Sequence, residues 1–526
     1  MIRIHQIKLE LSNSENLLKK KISKILKIAE KDIKSIRIKK MSYDCRKKPL
    51  IFKVFTVDVI VKGENSVLKR CKSNQVVRVE DKKYHVPKIN NLNINNRPVV
   101  VGMGPSGLFC SHILALNGFK PIIIEQGEKV EDRIKSVNKF WENGKLNTKS
   151  NVQFGEGGAG TFSDGKMQTG INDIRMQYIL EKFVEFGADK SILIDAKPHV
   201  GSDRLRKVLV NFRNHLLELG CSIYYNSEVT DINIVDRQVK SIEINNGEKF
   251  FETDICILGI GHSARNTFRK LNNIGVPMES KSFAIGLRIE HPQKWIDENK
   301  YGKIYKEENL PSADYKLVFH GDENRSCYSF CMCPGGYVVG ASSEKNRLVV
   351  NGMSDFKRDS QNANSALIVP VKKSEEIFGG MDLQIEIEEK AFLAGGENYF
   401  APVQRVSDFF NKRTGGESKI VKPSYMPGVK WVNLWDVLPQ NICESIKMAI
   451  IEFDKKISKF SCDEAILTGV ETRSSSPIRI LRNEKRESEI KGIYPIGEGA
   501  GYAGGITSSA IDGLKTGEEI INKFRG

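Results

Sequence analysis

An apolar triplet, Val99–Val101, runs straight into Gly102-x-Gly104-x-x-Gly107. The chain then continues as a helical stretch, Gly107–Asn117, and a second apolar strand, Pro121–Glu125. A glycine triplet alone says little, but strand, turn, helix and second strand within about 30 residues form the context of a dinucleotide-binding unit. Gly102 is expected to make the tight turn. Gly104 lets a pyrophosphate approach the backbone, and Gly107 lets helix and strand pack closely. Pro105 and Ser106 open a helix whose unpaired N–H groups and dipole attract an anion. Glu125 lies 23 residues beyond Gly102, where a carboxylate can accept hydrogen bonds from ribose hydroxyls and disfavours a 2′-phosphate. NADP is therefore not the expected ligand of this turn. Gln126, beside it, is assigned to the same site.

With 526 residues, the chain has room for several domains around this unit. Residues 1–90 read as a small α+β domain. Ile2–Leu11, Ser35–Lys40, Ile51–Val61 and Gln75–Glu80 have strand patterning. Leu18, Ile22, Ile25, Leu26 and Ala29 make a helical stripe, and Glu64–Cys71 a second short helix. The order β-α-β-β-α-β predicts a ferredoxin-like sandwich. An Asn-rich stretch follows, with a linker at 91–98. Strands and helices then alternate through 99–279, which predicts a parallel sheet. Residues 280–460 are mixed and read as a substrate or cap domain. Residues 461–526 return to the first domain.

The C-terminal return carries GIYPIGEGAGYAGGITSSAIDGLKTGEEII, a strand, a glycine-rich loop and a final helix. With the Gly102 turn it resembles the FAD-dependent oxidoreductases of the glutathione-reductase-like superfamily. Those enzymes place a strand–Gly–Asp motif there, whose carboxylate binds the FAD ribitol. Here Gly497 is followed by Glu498, a departure that lengthens the side chain. NVQFGEGGAGTFSDGK (151–166), GHSARNTF (261–268), GVETRSSSPIRI (469–480) and GEGAGYAGGI (497–506) narrow the resemblance. Together they are similar to the poorly characterised FAD-dependent dehydrogenases labelled NAD(FAD)-utilising dehydrogenases, over nearly the whole chain. The resemblance implies an α/β fold: a Rossmann-like FAD-binding domain, a mixed α+β substrate domain and the N-terminal ferredoxin-like domain. It implies that Gly504, Gly505 and Ile506 lie beside the pyrimidine end of the isoalloxazine. Gly157, Gly158, Gly160, Thr161 and Ser163 are assigned to FAD by the same resemblance, and Gly261 to the returning FAD strand.

Other residues are candidates for chemistry. Lys166 is expected to meet an anionic substrate, and Arg473, with three serines after it, to anchor an anionic substrate or the flavin's own polar edge, with helix capping or a surface loop as the alternative. His262 is a candidate acid or base, with a hydrogen-bonded structural histidine as the first reading. Gly259-x-Gly261-x-x-Ala264 reads as the chain's return to the FAD domain rather than as a second nicotinamide site. Cys331 and Cys333, two apart in a strand, are expected to point the same way. They read first as buried structural cysteines and second as a redox-active dithiol. No catalytic base stands out, and hydride exchange with flavin needs none.

Charge is uneven. Residues 1–95 hold 24 Lys+Arg and 9 Asp+Glu, while the remainder holds 57 and 56. The basic segment reads as a solvated Lys-rich surface, with a polyanion such as RNA as the alternative partner. Ten scattered cysteines do not suggest a disulfide scaffold, and no His/Cys set has zinc spacing, so no metal is expected. No apolar run suits a transmembrane helix, and the first residues do not resemble a signal peptide. The cytoplasm is the expected location, without membrane association. The expected function is an FAD-dependent oxidoreductase moving hydride between flavin N5 and a small-molecule substrate, with NAD(P)H as a transient donor. A polyanion-bound flavoprotein and a non-enzymatic flavin sensor are its rivals.

Overall fold

The computed structural model describes residues 1–11, 16–71, 73–306, 310–321 and 326–525. The N-terminal strands Ile2–Glu10, Ile33–Lys47, Leu50–Val61 and Val76–Arg78 form one antiparallel sheet. Their spatial order is second, third, first, fourth, the arrangement expected of a ferredoxin-like domain. Alternating Ile2, Ile4, Val57 and Val59 turn inward against Leu18, Ile22 and Leu26 of the helix Asn16–Leu26. The strands Ile33–Lys47 and Leu50–Val61 run longer than their apolar pattern suggests. Their far ends leave the small domain and pack Tyr43, Cys45 and Ile51 against Tyr301, Met332 and Ala363. The stretch before Val99 has no helix or strand, yet Val86, Ile89, Leu92 and Ile94 pack onto the next domain.

That domain is built on a five-stranded parallel sheet. Its order is Ile493–Pro495, Cys256–Leu258, Val99–Val101, Ile122–Ile124 and Ser222–Tyr224. Both faces are covered, which is why its strands read as continuous apolar runs. The helices Pro105–Leu116 and Ile506–Lys523 share one face. On the other lies a three-stranded antiparallel layer, Val229–Val235, Gln238–Ile244 and Lys249–Glu252.

The middle of the chain forms a second large sheet around Phe283–Pro292, which pairs with Asn362–Val371 and with Ile466–Glu471. The latter strand carries this domain past residue 460, so the return to the parallel sheet comes later than the expected boundary. The helices Gly379–Gly395 and Gln440–Asp454 cover the sheet, with Ile387, Ala391, Ile446, Ala449 and Ile450 in the core. Among the described residues no helix is long and apolar enough to cross a membrane.

Candidate functional site

Val99–Val101 is flanked by Ile122–Ile124 on one side and Cys256–Leu258 on the other. The chain therefore leaves the sheet in opposite directions at this strand, and a crevice opens beyond the strand ends. Gly102 and Gly259 sit at its mouth. Gly102 has a φ of 95°, and a methyl group there would lie 2.3 Å from the Gly259 carbonyl oxygen. Gly104 precedes the helix Pro105–Leu116 and faces Gly158, whose Cα would lie 3.9 Å from a methyl group on Gly104. Two stretches of bare backbone thus line a cleft that also includes Pro105, Ser106 and Gln126.

Glu125 is buried at one end of this cleft. Its carboxylate accepts from the backbone N–H groups of Met103 (2.9 Å), Gly127 (3.0 Å) and Gly155 (3.0 Å). A carboxylate has about four lone-pair sites, so room remains for one further donor such as a ribose hydroxyl. Behind the glycine-rich loop lies Arg133, fully buried on the helix Val130–Asn143. It donates to the carbonyls of Asn151 (2.8 Å), Glu156 (2.6 Å) and Val152 (3.0 Å), and to Thr161 Oγ1 (3.1 Å). Burial lowers its pKa to about 10, and it remains a cation at neutral pH.

The other end is formed by the C-terminal segment. Gly504, Gly505 and Ile506 line the cleft where the helix Ile506–Lys523 begins. The preceding turn is held from below: Gly497 N–H donates to Asp512 Oδ2 at 2.8 Å, and Arg482 and Arg486 bind the same carboxylate. Gly261, His262 and Glu498 lie alongside. His262 Nε2 is 3.8 Å from Glu498 Oε1, and its Nδ1 is 3.1 Å from Ser263 Oγ. Burial, with the charges of Arg473 and Arg265, pushes the His262 pKa down to about 3. It is a neutral hydrogen-bonding group, not a charged acid. Burial pushes the Glu498 pKa up to about 7.

Gly158, Gly160, Ser163, Lys166 and Cys331 complete the wall. Lys166 Nζ lies 3.1 Å from Asp164 and donates to the Met332 carbonyl. Burial opposes its charge, but Asp164 outweighs burial and raises its pKa.

Several expectations need correction. Arg473 reaches the cleft, but its guanidinium is already taken. It donates to Glu388 (2.8 and 3.0 Å), Ser343 Oγ (2.6 Å) and Glu344 (3.0 Å), which leaves little to anchor a substrate. Thr161 and Gly157 do not line the cleft. Thr161 is buried between Arg133 and the Glu156 carbonyl, and Gly157 packs against Leu209. Gly107 keeps its expected role of close packing, since a methyl group there would lie 2.0 Å from the Gly102 carbonyl oxygen, and Gly497 serves the turn at a φ of 76°. Cys331 and Cys333 do not sit in a regular strand, although their thiols are in contact. The strand Cys327–Gly340 bulges between Phe330 and Cys333, Cys331 has a φ of 41°, and only Cys331 meets the cleft. Arg133, Asp512 and the Glu388 cluster were missed. Arg133 occupies a position on its helix's apolar stripe, between Val130 and Val137, and a charge at such a position is the signal that would have found it.

An elongated dinucleotide fits these residues. Two helix starts supply N–H groups, bare backbone at Gly104 and Gly158 admits close approach, and Glu125 keeps an acceptor free. Residues 282–474 match a family described as "FAD-dependent protein, C-terminal domain-like", and residues 1–60 match a domain of unknown function. A protein of Clostridium beijerinckii, named only as uncharacterized, is 45% identical over 529 residues, covering 99% of both chains. Among solved structures, L-proline dehydrogenase from P. horikoshii aligns at 12% identity, covering 82% of this chain and 94% of its own, with a TM-score of 0.38. CtdE in complex with FAD aligns at 12% identity over 81% of this chain and 84% of its own, with a TM-score of 0.33.

Proposed function

The chain belongs to the same family as its clostridial relative and carries an FAD-dependent C-terminal domain, and from this premise we propose that it is an FAD-dependent oxidoreductase of the dehydrogenase type. The observation that carries the reading is the convergence of two helix starts, at Pro105 and Ile506, on one cleft at the switch point of the parallel sheet. Their N–H groups suit a pyrophosphate at one end and an anionic flavin pyrimidine at the other. Glu125 orients the ribose end. Glu498, the counterpart of the ribitol-binding aspartate in similar enzymes, stands beside a neutral His262.

When bound, FAD supplies hydride chemistry at its N5. The protein's part is to hold the cofactor, exclude water and present the substrate from the side of the large mixed sheet. Phe330, Cys331, Asn351 and Glu471 close that side of the cleft. The substrate is a small molecule on this reading, and NAD(P)H is a transient donor without a domain of its own.

The test is the visible spectrum of the purified protein, recorded anaerobically before and after NADH or NADPH. Flavin bands, with FAD identified after release by denaturation, are expected. Fast bleaching would assign the nicotinamide donor, and slow bleaching would pass that role to another substrate. Absence of flavin bands even after added FAD would overturn the proposal.

A further inference from the structure

We propose that Cys331 is a nucleophilic thiol on the wall of the cleft, that Cys333 is its resolving partner, and that the pair exchanges with small organic disulfides. The inference goes beyond the cofactor assignment and does not depend on it.

The geometry starts with the bulge. Phe330 pairs with Ala366 and Cys333 with Asn364, so three steps on one strand match two on its neighbour. In a regular strand, residues two apart are separated by about 6.7 Å, near the upper limit for a disulfide. A bulge with its first cysteine at a φ of 41° departs from that regular geometry. Cys333 Sγ already lies 3.3 Å from the Cys331 carbonyl oxygen.

Two cations hold the loop, Arg288 fully buried and Lys166 partly exposed. Arg288 Nη1 donates to the Cys331 carbonyl at 2.9 Å, and Lys166 Nζ to that of Met332. From behind, Met332 packs against Ile51 of the N-terminal domain and Tyr301. Cys331 is half-buried and open to the cleft, whereas Cys333 is buried. Partial exposure beside cations is the environment of reactive cysteines. The Cys333 thiol, together with Lys166 and Arg288, pulls the Cys331 pKa well below the ordinary thiol value, while contact with Cys331 pushes Cys333 up. Asp164, Glu471 and Glu498 face the same thiol and oppose the effect.

The chemistry balances without another reactant. The Cys331 thiolate attacks one sulfur of the disulfide, forms a mixed disulfide and expels one thiolate. Cys333 then loses its proton, attacks the Cys331 sulfur and expels the second thiolate. The external disulfide is reduced to two thiols, and the pair is oxidised to a disulfide. Excess small thiol runs the sequence backward.

The test treats the native, full-length protein with bis(2-hydroxyethyl) disulfide, quenches with acid, alkylates under denaturing conditions and maps peptides by mass. Trypsin releases Ser326–Lys345, which holds Cys327, Cys331 and Cys333 together. The expected product is that peptide with an internal Cys331–Cys333 disulfide and one alkylated cysteine, Cys327. In Cys333→Ala, a stable mixed disulfide carrying the 2-hydroxyethylthio group on Cys331 is expected instead. The unmodified protein gives a second readout, because its reaction rate should fall by much less than that of an ordinary thiol between pH 8 and pH 6. An ordinary thiol would lose roughly 75-fold over that interval. Three free thiols in the peptide, a stable adduct on Cys331 of the unmodified protein, or an ordinary pH profile would each overturn the proposal. Flavin absorbance enters none of these readings, so failure here is distinct from failure to bind FAD.

Discussion

Arg265 reaches from the parallel-sheet domain to both carboxylate oxygens of Glu388, at 2.7 and 2.8 Å. Arg473 binds the same two oxygens from the opposite strand connection. Glu388 is fully buried on the helix Gly379–Gly395, so one carboxylate ties the cofactor domain to the large mixed sheet. Burial pushes its pKa up, but the charges of Arg473 and Arg265 outweigh burial and hold it well below the ordinary carboxylate range. Glu388→Gln leaves two buried guanidinium groups short of a counter-charge. The expected loss is about 3–5 kcal/mol, read as a drop in thermal midpoint at pH 7. Because the folded pKa is depressed, the ionic stabilisation is present above pH about 4.5 and fades as the pH falls below that value. The gap between the two proteins should therefore narrow in acid. An equal gap at every pH would mean that packing, not charge, holds the helix.

Gly102 and Gly104 should fail differently. A methyl group on Gly102 meets the Gly259 oxygen at 2.3 Å and sits at a φ of 95°, where backbone strain alone costs about 1–3 kcal/mol. Gly102→Ala should lower the melting temperature of the cofactor-free protein. A methyl group on Gly104 meets nothing closer than 3.9 Å. Gly104→Ala should fold normally and lose FAD affinity about tenfold or more, a cost of at least about 1.4 kcal/mol, measured by fluorescence quenching on titration. If Gly104→Ala binds FAD unchanged, the pyrophosphate does not approach there.

Glu498 carries a pH signature. Its pKa rises to about 7 in the cofactor-free fold, so the native state holds its proton more tightly than the unfolded chain. Stability falls as pH climbs from about 4.5 to about 7, because the carboxylate must ionise in a buried site. The amount is about 3 kcal/mol. Glu498→Gln removes the titration, so the variant should gain on the parent protein across that window and match it below. Parallel stability curves would show that Glu498 stays solvated.

How much of this was legible follows from sequence distance. The Gly102 turn, the final helix and the elements of the ferredoxin-like sandwich show themselves in patterns over short stretches of chain, and those patterns predict them. The large mixed sheet does not, because Phe283–Pro292 finds its partner at Ile466–Glu471. Arg473 and Thr161 illustrate a related error. Each stands in a motif that suggests ligand contact, yet distant groups, Glu388 and Arg133, had already taken their hydrogen bonds. Periodicity marks which face is buried, but it does not name the partner.

Arg133 offers the sharpest separation of scaffold from binding. It braces the loop at 151–161 through three carbonyls and one hydroxyl, and its Cδ would lie 2.4 Å from a methyl group on Gly155. Only a planar fork reaches carbonyls in these directions at once. Arg133→Lys keeps the charge but not the fork, so it should leave at least one buried carbonyl unpaired, at about 1–3 kcal/mol. Hydrogen exchange should then rise within 151–161 and not in the N-terminal sheet. FAD affinity should fall in step, because Gly158 and Gly160 belong to the braced loop. Arg133→Met should behave worse than Arg133→Lys on both measures. If the lysine variant keeps loop protection and FAD affinity alike, the guanidinium is a passive buried charge, and the loop's shape must come from its glycines alone.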